Sequence, residues 1–337
     1  MEAVLEVRRV SKAFDRRSAI LKGISFSLAG GEMVALIGAS GSGKSTLIRA
    51  IAGLVPIDKG GPGGAPGEII LFGQPIQRDG RITVSAKQLR VRVGVIFQQF
   101  NLVPRLSVLT NVCLGLLGRV PFFQGTIGRF SVADKRRAMQ ALDRVGIAGH
   151  ALKRGCELSG GQQQRAAIAR TLVQGAELVI ADEPIASLDP TSARRVMDIL
   201  ADMNRRDRIT VLVSLHQVEF ALRYCPRTIA LKSGEIVFDG PSCELTPALL
   251  NAIYGAQSED FFEDAAEPAD AAKEATAPIA VGSRVAAPAF DVERLRAYRN
   301  DSDSSPSPRK GEGWGGDRRP PARRVWCVRG PPPQRSS

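Results

Sequence analysis

A glycine-rich loop at residues 38–45 has the composition of a phosphate-binding site. It reads Gly-Ala-Ser-Gly-Ser-Gly-Lys-Ser. The glycines can adopt positive φ and let the backbone approach an oxyanion closely. Lys44 would add a cation beside bound phosphates, and the hydroxyl of Ser45 could ligate Mg²⁺. The alternative interpretation is a glycine-rich turn that happens to precede a helix.

The segments on either side of the loop favour the phosphate-binding interpretation. Residues 33–37 are a short, continuous apolar run, typical of a strand buried on both faces. Residues 46–52 combine helix-forming residues with apolar positions at helical spacing. The loop would therefore join a buried strand to a helix N-terminus, where backbone N–H groups and the helix dipole attract anions.

Two carboxylates follow another apolar run. Leu178–Ala181 is predicted to be a buried strand, and Asp182 and Glu183 come directly after it. Acidic side chains are costly to bury unless they are paired or bind a metal. An exposed turn before Pro184 would also explain them. With the glycine loop present, we expect Asp182 to support Mg²⁺ as in P-loop NTPases, and Glu183, on the opposite side of the pleat, to face an attacking water.

Gln98 and His216 also stand at predicted strand ends. Gln98 follows the apolar run at residues 93–97, and His216 follows the run at residues 209–214. Because ligands of open α/β sheets bind at the carboxyl ends of the strands, both residues are site candidates. Neither is remarkable by itself, since a strand ending in an amide is common and a lone His is most often structural.

A second possible anion site lies at residues 158–162, Leu-Ser-Gly-Gly-Gln. Ser159 is a predicted N-cap for a helix over residues 163–173, so small residues again precede a helix N-terminus. Alone the motif is weak, because Ser-Gly-Gly occurs widely in linkers. Farther along, the turn Ser187-Leu188-Asp189-Pro190 is expected to cap a helix over residues 192–203.

The remaining patterns complete an α/β fold. Residues 3–9 and 24–28 alternate apolar and polar, which predicts an antiparallel layer with one wet face. Phe14 lies between them and by itself would be interpreted as a core aromatic. Residues 107–155 predict helices joined by loops, the clearest over residues 132–145. Residues 228–238 predict a β-hairpin.

Length and composition limit the alternatives. A chain of 337 residues suggests two or three domains, and 44% apolar residues are ordinary for a globular protein. No apolar run approaches the roughly 18 residues of a membrane span, and the first residues do not resemble a signal peptide. The five cysteines are scattered and predict reduced thiols in a cytoplasmic protein.

The basic charge does not predict nucleic-acid binding. The net charge is +12, and residues 304–337 hold eight Lys or Arg against two acidic residues, a net of +6. Half of the excess therefore belongs to one low-complexity stretch. Residues 257–337 are predicted to be a disordered tail, because their composition cannot bury a core.

The motifs occur together in the order GASGSGKS, Gln98, LSGGQ, LVIADEP, SLD and His216. This combination resembles the ATP-binding cassette (ABC) ATPases, in which LSGGQ distinguishes the family from other P-loop NTPases. The resemblance covers about residues 3–250. Residues 95–112, 181–190 and 215–240 look in particular like the ATP-binding subunits of phosphonate importers, although amino-acid importers share parts of them.

The resemblance implies a fold and its boundaries. It implies a P-loop NTPase (RecA-like) core with a mainly parallel sheet, an antiparallel β subdomain and a helical subdomain over about residues 105–165. The nucleotide-binding domain would span residues 1–256.

The resemblance also implies roles for the candidate residues, with ATP and Mg²⁺ as the bound groups. Phe14 would stack on adenine, and Glu183 would be the general base. His216 would contact the γ-phosphate and the water, with Lys44 and Gln98 as further catalytic residues. Mg²⁺ would be held with the help of Ser45, Gln98 and Asp182. The other implied nucleotide-binding residues are Gly38, Ser40, Gly41, Ser42, Gly43, Thr46, Ser159, Gly160, Gly161, Gln162 and Asp189.

The implied assembly has several partners. Ser159 and Gly161 would complete the ATP site of a second copy, so that two cassettes close on two ATP molecules. Transmembrane permease subunits would form the pore, and a substrate-binding protein outside the membrane would deliver the cargo. The chain would be a peripheral protein on the cytoplasmic face of the inner membrane.

The implied function is an ATPase that drives uptake of phosphonate or a related phosphorus oxyanion. One alternative is the same role for another cargo, such as an amino acid. Another is a soluble cassette protein acting on nucleic acid or ribosomes. Such proteins usually carry two cassettes, whereas this chain has one glycine loop and one LSGGQ. A purely structural nucleotide-binding scaffold is the third, and the intact Glu183 and His216 argue against it.

Overall fold

The computed structural model describes residues 3–15, 18–60, 65–119 and 130–255. The predicted disordered tail, residues 257–337, lies outside the described residues. In chain order the strands are β1 (Ala3–Asp15), β2 (Ser18–Ala29), β3 (Met33–Ile37), β4 (Glu68–Leu71), β5 (Gln74–Arg78), β6 (Arg81–Ile82), β7 (Val93–Ile96), β8 (Leu178–Asp182), β9 (Thr210–Ser214), β10 (Arg227–Lys232) and β11 (Glu235–Pro241). The helices are α1 (Lys44–Ile51), α2 (Ala86–Arg90), α3 (Val108–Cys113), α4 (Val132–Arg144), α5 (Gly160–Gln174), α6 (Pro190–Asp207), α7 (Val218–Tyr224) and α8 (Pro247–Tyr254).

The strands form two sheets. The first has the order β11-β10-β3-β9-β8-β7, and it is parallel except for β11, which pairs antiparallel with β10. The second has the order β2-β1-β4-β5-β6 and is antiparallel throughout. Both the predicted parallel core and the predicted antiparallel layer are confirmed.

The central strands are buried on both faces, as their continuous apolar runs predict. Every residue of β3, β8 and β9 is buried. Along β3, Ala35 and Ile37 belong to a core that includes side chains of α3, α4 and α5. Val34 and Leu36 belong to a second core shared with α1 and the antiparallel sheet. The parallel sheet therefore separates two apolar cores, with residues alternating between them.

The helices α3, α4 and α5, which form a helical insertion between β7 and β8, pack as a unit. Helix α5 packs on both α3 and α4, and these two helices also contact each other. Helix α4 begins with a capping box in which Ser131 and Asp134 bond reciprocally, and its buried positions include Ala138 and Leu142. This packing fixes the direction of α5, which carries the LSGGQ motif at its start.

Among the described residues, no helix is both long and apolar enough to cross a membrane. Cys113, Cys156, Cys225 and Cys243 are free thiols, as the sequence predicts, and Cys327 lies outside the described residues.

Gly94 of β7 tests the packing of α5 on the parallel sheet. A Cβ atom at Gly94 would lie 2.8 Å from Cβ of Thr171, in α5, and 3.1 Å from Cβ of Ala176. We expect Gly94→Ala to lower the free energy of unfolding by about 1–3 kcal/mol, because the helix must shift to admit the methyl group. Chemical denaturation would measure the change.

Gly149→Ala is the matched control. A Cβ atom there meets nothing within 4 Å. We expect a change within about 0.5 kcal/mol. If the two substitutions changed the free energy of unfolding equally, the close packing at Gly94 would not contribute to stability.

Candidate functional site

The glycine loop joins β3 to α1 in a conformation that requires its glycines. Gly38, Gly41 and Gly43 have φ of 149°, 79° and 105°. A Cβ atom at Gly38 would lie 2.2 Å from the carbonyl oxygen of Leu231, in β10. At Gly43 it would lie 2.9 Å from the carbonyl oxygen of Ile20, in β2. Neighbouring backbone therefore fixes the path of the loop, and only glycine fits at these two positions.

Two hydrogen bonds brace the loop from outside. The N–H of Gly234, in the turn between β10 and β11, donates to the carbonyl oxygen of Ser42 at 3.2 Å. The N–H of Gly38 donates to the phenolic oxygen of Tyr254 at 3.2 Å. Tyr254 is the last residue of α8, and burial raises its pKa to about 12, so the phenol stays protonated at neutral pH. Helix α8 thus contacts the first residue of the loop.

Lys44 lies in the first turn of α1 and is 4% exposed. Its ammonium donates to the carbonyl oxygens of Gly38 at 2.6 Å and Ala39 at 3.3 Å. Burial lowers the pKa of Lys44, and the carboxylates of Glu183 and Asp182 oppose that shift. The charge of Lys44 is therefore within electrostatic reach of both acidic residues.

A hydroxyl and a carboxylate meet where β8 ends beside the loop. The Ser45 hydroxyl donates to Oδ1 of Asp182 at 3.1 Å. The same oxygen accepts a hydrogen bond from the hydroxyl of Ser214 at 3.0 Å. Ser214 is the last residue of β9, and its register partner in β8 is Asp182. The parallel ladder therefore aligns the two residues directly.

Glu183 and His216 form the next pair along this edge. Nε2 of His216 lies 2.7 Å from Oε1 of Glu183. The prediction that Glu183 occupies the opposite side of a continuing pleat is wrong, because β8 ends at Asp182 and Glu183 has φ of 49°. A left-handed turn, not strand alternation, sends the Glu183 side chain toward His216.

Gln98 lies two residues beyond β7, which pairs in parallel with β8. It is exposed in a turn at the same edge of the sheet as Asp182. Phe100 and Asn101 follow with φ of 47° and 48°. Arg170 of α5 donates to the carbonyl oxygens of Asn101 at 2.7 Å and Phe100 at 3.4 Å. A side chain of the LSGGQ helix thus holds the segment after Gln98.

The LSGGQ motif begins α5 as predicted. Ser159 is the N-cap and forms a capping box with Gln162. Nε2 of Gln162 lies 3.2 Å from Nε2 of His150, so an unprotonated His150 Nε2 can accept its hydrogen bond. A Cβ atom at Gly161 would lie 2.8 Å from the Ser192 hydroxyl, which leaves no room for a side chain.

Asp189 caps α6, also as predicted. Its carboxylate accepts the N–H of Ser192 at 2.9 Å, and hydrogen bonds from Ser192 hold the Asp189 pKa below its usual range. Gly160 lies near Leu188, in the same turn as Asp189. The LSGGQ and SLD segments are therefore neighbours within one chain.

The structure brings the predicted residues into two groups. Lys44, Ser45, Asp182, Glu183 and His216 surround the end of the glycine loop. Ser159–Gln162 and Asp189 form a second group, and among the described residues no hydrogen bond joins it to the loop. The two groups are those that the implied second copy would have to bring together.

Phe14 is an exposed aromatic. Its relative exposure is 61%, so the core interpretation is wrong. The Lys12 ammonium lies 5.4 Å from the centre of its ring. An exposed ring flanked by a cation suits a stacking surface, and the adenine contact stays a prediction.

The donor set fits a phosphate with a magnesium ion. The Ser42 hydroxyl is buried and has no hydrogen-bond partner, which leaves a donor for an anion. The described residues contain no cluster of three His, Cys, Asp or Glu that could hold a metal by themselves. Mg²⁺ commonly takes one or two protein carboxylates plus phosphate oxygens and waters. Asp182 with Ser45 fits that pattern, and the metal role of Gln98 stays a prediction.

Three residues at the site were missed by sequence reasoning. Ser214 ends an apolar run, and the rule that selected Gln98 and His216 would have found it. Tyr254 and Arg170 carry no such signal, because both lie within helices and neither follows a predicted strand. Their contacts depend on tertiary packing alone.

Comparison with known proteins is consistent with this geometry. The family model described as "ABC transporter" matches residues 21–186. The phosphonates import ATP-binding protein PhnC of Paraburkholderia xenovorans (strain LB400) is 53% identical over 273 residues, which cover 80% of this chain and 89% of the relative. A protein named PhnC 1, from Pseudomonas aeruginosa (strain UCBPP-PA14), is 55% identical over 259 residues, covering 77% and 91%.

A solved structure is also similar. It is the dimeric, post-hydrolysis state of an ATP-binding cassette bound to ADP and Pi. Its chain is 30% identical, with a TM-score of 0.61, and the match covers 71% of this chain and 98% of that one.

The contact between Tyr254 and Gly38 makes a testable link between α8 and the glycine loop. We expect Tyr254→Phe to weaken ATP binding about two- to tenfold, because one hydrogen bond that fixes the loop is lost. Isothermal titration calorimetry with a nonhydrolysable ATP analogue would measure the dissociation constant. Tyr224→Phe is the matched control, since its hydroxyl bonds Asp198 at 2.8 Å away from the loop. Unchanged affinity in Tyr254→Phe would exclude this role.

Proposed function

The chain belongs to the ABC transporter family, and on that premise we propose that it is the ATP-hydrolysing subunit of an importer of phosphonates or a related phosphorus oxyanion. The proposal that the chain hydrolyses ATP depends mainly on one observation, the arrangement of Asp182, Glu183 and His216 beside the glycine loop. The cargo rests on relatives that are 53–55% identical and are named for phosphonate import.

The glycine loop binds the phosphates of ATP. Its conformation lets backbone N–H groups at the start of α1 face an anion, and Lys44 supplies a cation there. At present Lys44 bonds the loop's own carbonyl oxygens, so binding exchanges those contacts for phosphate oxygens. Phe14 offers its exposed face to the adenine ring.

Ser45, Asp182 and Gln98 would hold Mg²⁺, which would neutralise charge on the phosphate oxygens. Ser45 and Asp182 are already in hydrogen-bond contact, which places their oxygens on one side of the site. Gln98 approaches from the end of the adjacent strand β7.

Glu183 accepts the proton of the attacking water. General base catalysis requires a carboxylate that is fixed in direction, and one side-chain contact and the backbone conformation fix this one. His216 holds Oε1 of Glu183 at 2.7 Å, and the left-handed turn at Glu183 fixes its backbone. His216 also orients the water and contacts the γ-phosphate.

A second copy of the chain completes the site. Ser159 and Gly161 stand at the N-terminus of α5, which favours negative charge. Facing the ATP held by another copy, this helix end would help to neutralise the γ-phosphate. ATP would then favour the closed dimer, because only that state makes both sets of contacts. The similar cassette solved as a dimer with ADP and Pi supports this arrangement.

The helical insertion passes this closure to permease subunits in the membrane. Arg170 ties α5 to the segment after Gln98, so a movement of the LSGGQ helix moves that segment too. The chain acts as a peripheral subunit on the cytoplasmic face of the membrane, and a binding protein delivers the cargo on the other side.

Glu183→Gln tests the chemistry. We expect kcat for ATP hydrolysis to fall about 10²–10⁴-fold, because the amide cannot accept the proton of the water, while KM changes little. Phosphate release by the purified full-length chain measures both constants. Glu219→Gln, an exposed carboxylate on α7, is the control and should hydrolyse at the wild-type rate. A wild-type rate in Glu183→Gln would remove Glu183 from the mechanism.

Growth on a phosphonate tests the cargo. We expect deletion of the gene to abolish growth on methylphosphonate as the sole phosphorus source, and growth on inorganic phosphate to persist. The wild-type gene should restore growth, whereas a Glu183→Gln gene should not. Growth of the deletion strain on methylphosphonate would refute this cargo and favour another, such as an amino acid. Co-purification of the chain with RNA instead of a membrane permease would favour the soluble alternative.

A further inference from the structure

The hydroxyl of Ser214 lies between the two acidic residues of the site. Ser214 is the last residue of β9 and is 0% exposed. Its Oγ accepts a hydrogen bond from the backbone N–H of Glu183 at 2.8 Å. The same hydroxyl donates to Oδ1 of Asp182 at 3.0 Å. One side chain therefore contacts both residues through two different hydrogen bonds.

The direction of these bonds is fixed by chemistry. A backbone N–H can only donate, so the Ser214 oxygen accepts from Glu183. The hydroxyl has one proton, and it donates this proton in a hydrogen bond to the neighbouring carboxylate oxygen of Asp182. Asp182 Oδ1 accepts a second hydroxyl, that of Ser45, at 3.1 Å. The orientation of the Asp182 carboxylate thus depends on Ser214 from one side and on the glycine-loop helix from the other.

The bond to Glu183 occurs where the strand ladder stops. Asp182 and Ser214 are the last register partners of β8 and β9. The next residue, Glu183, turns into the left-handed region, with φ of 49°. That conformation is unfavourable for a residue with a side chain and persists only where surrounding contacts hold it. The Ser214 hydroxyl is such a contact. Its oxygen accepts the hydrogen bond of the Glu183 N–H, which lies beyond the last pair of the β8–β9 ladder.

We propose that Ser214 is a positioning residue for ATP hydrolysis, one that holds the metal-supporting carboxylate of Asp182 and the backbone of the base Glu183 in fixed relation. This inference rests on the proposed ATPase function. Ser214 does not touch the substrate; it acts through its two neighbours. A hydrophobic residue of similar size at position 214 would preserve the fold and lose the alignment.

The test compares Ser214→Ala with wild type in ATP hydrolysis by the full-length chain. We expect kcat to fall about ten- to hundredfold, the scale of a lost hydrogen bond to a charged group, with the affinity for ATP within about threefold of wild type. The Mg²⁺ concentration for half-maximal rate should rise, since Asp182 is no longer held. Ser242→Ala is the matched control, because Ser242 is 3% exposed and its hydroxyl bonds Thr228 at 2.7 Å outside the site.

A second measurement separates positioning from general packing. At saturating Mg²⁺, which compensates for the weaker hold on Asp182, adding Ser214→Ala in the Glu183→Gln background should lower the residual rate less than about threefold, because the base that Ser214 positions is already gone. A full ten- to hundredfold loss in that background would overturn the proposal, and so would a wild-type kcat in folded Ser214→Ala. If Ser214→Ala does not fold, Ser214→Cys fills the same space with a weaker hydrogen-bonding group, and the same expectations apply to it.

The outcomes distinguish this inference from the proposed function. A wild-type chain that hydrolyses no ATP would refute the function itself. An active wild type whose rate is insensitive to substitution at position 214 would refute only the role of Ser214.

Discussion

A loop that binds phosphate has to leave backbone N–H groups available to the ligand, so its own hydrogen bonds can hold it in shape only in part. In this chain the surrounding backbone supplies the missing constraint. The carbonyl oxygens of Leu231 and Ile20 approach the loop so closely that only glycine fits at Gly38 and Gly43. Hydrogen bonds from Gly234 and to Tyr254 brace it further. The site is therefore built by β2, the β10–β11 hairpin and α8 as much as by the loop itself.

The parallel ladder is the second constraint, because it decides which side chains meet. Parallel strands end at the same edge of a sheet, so residues far apart in sequence are aligned there. Asp182 and Ser214 are register partners, and the loop follows β3 on the other side of β9. Beyond the ladder, the residues with side chains that take left-handed conformations include Glu183, Phe100 and Asn101. Such conformations concentrate where function requires a particular direction of the chain.

Much of this could be predicted because the signals are local. A short, largely apolar run predicts a strand buried on both faces, and β3, β8 and β9 are such strands. Ser159 and Asp189 cap helices because a cap needs only the next three residues. Phe14 shows the limit of this reasoning. An aromatic between two strands suggests a core residue, and only the packing shows that its ring faces outward.

By itself the sequence determined the order of the motifs, the alternation of strands and helices, and the residue types able to bind phosphate and a metal, because these depend on composition and short-range spacing. Only the tertiary structure decided that Glu183 leaves the strand in a left-handed turn, that Ser214 lies between the two acids, that Arg170 holds the segment after Gln98, and that Tyr254 contacts the loop. These contacts join residues 31 to 216 positions apart. Such pairings depend on strand register and helix docking, which no local pattern encodes.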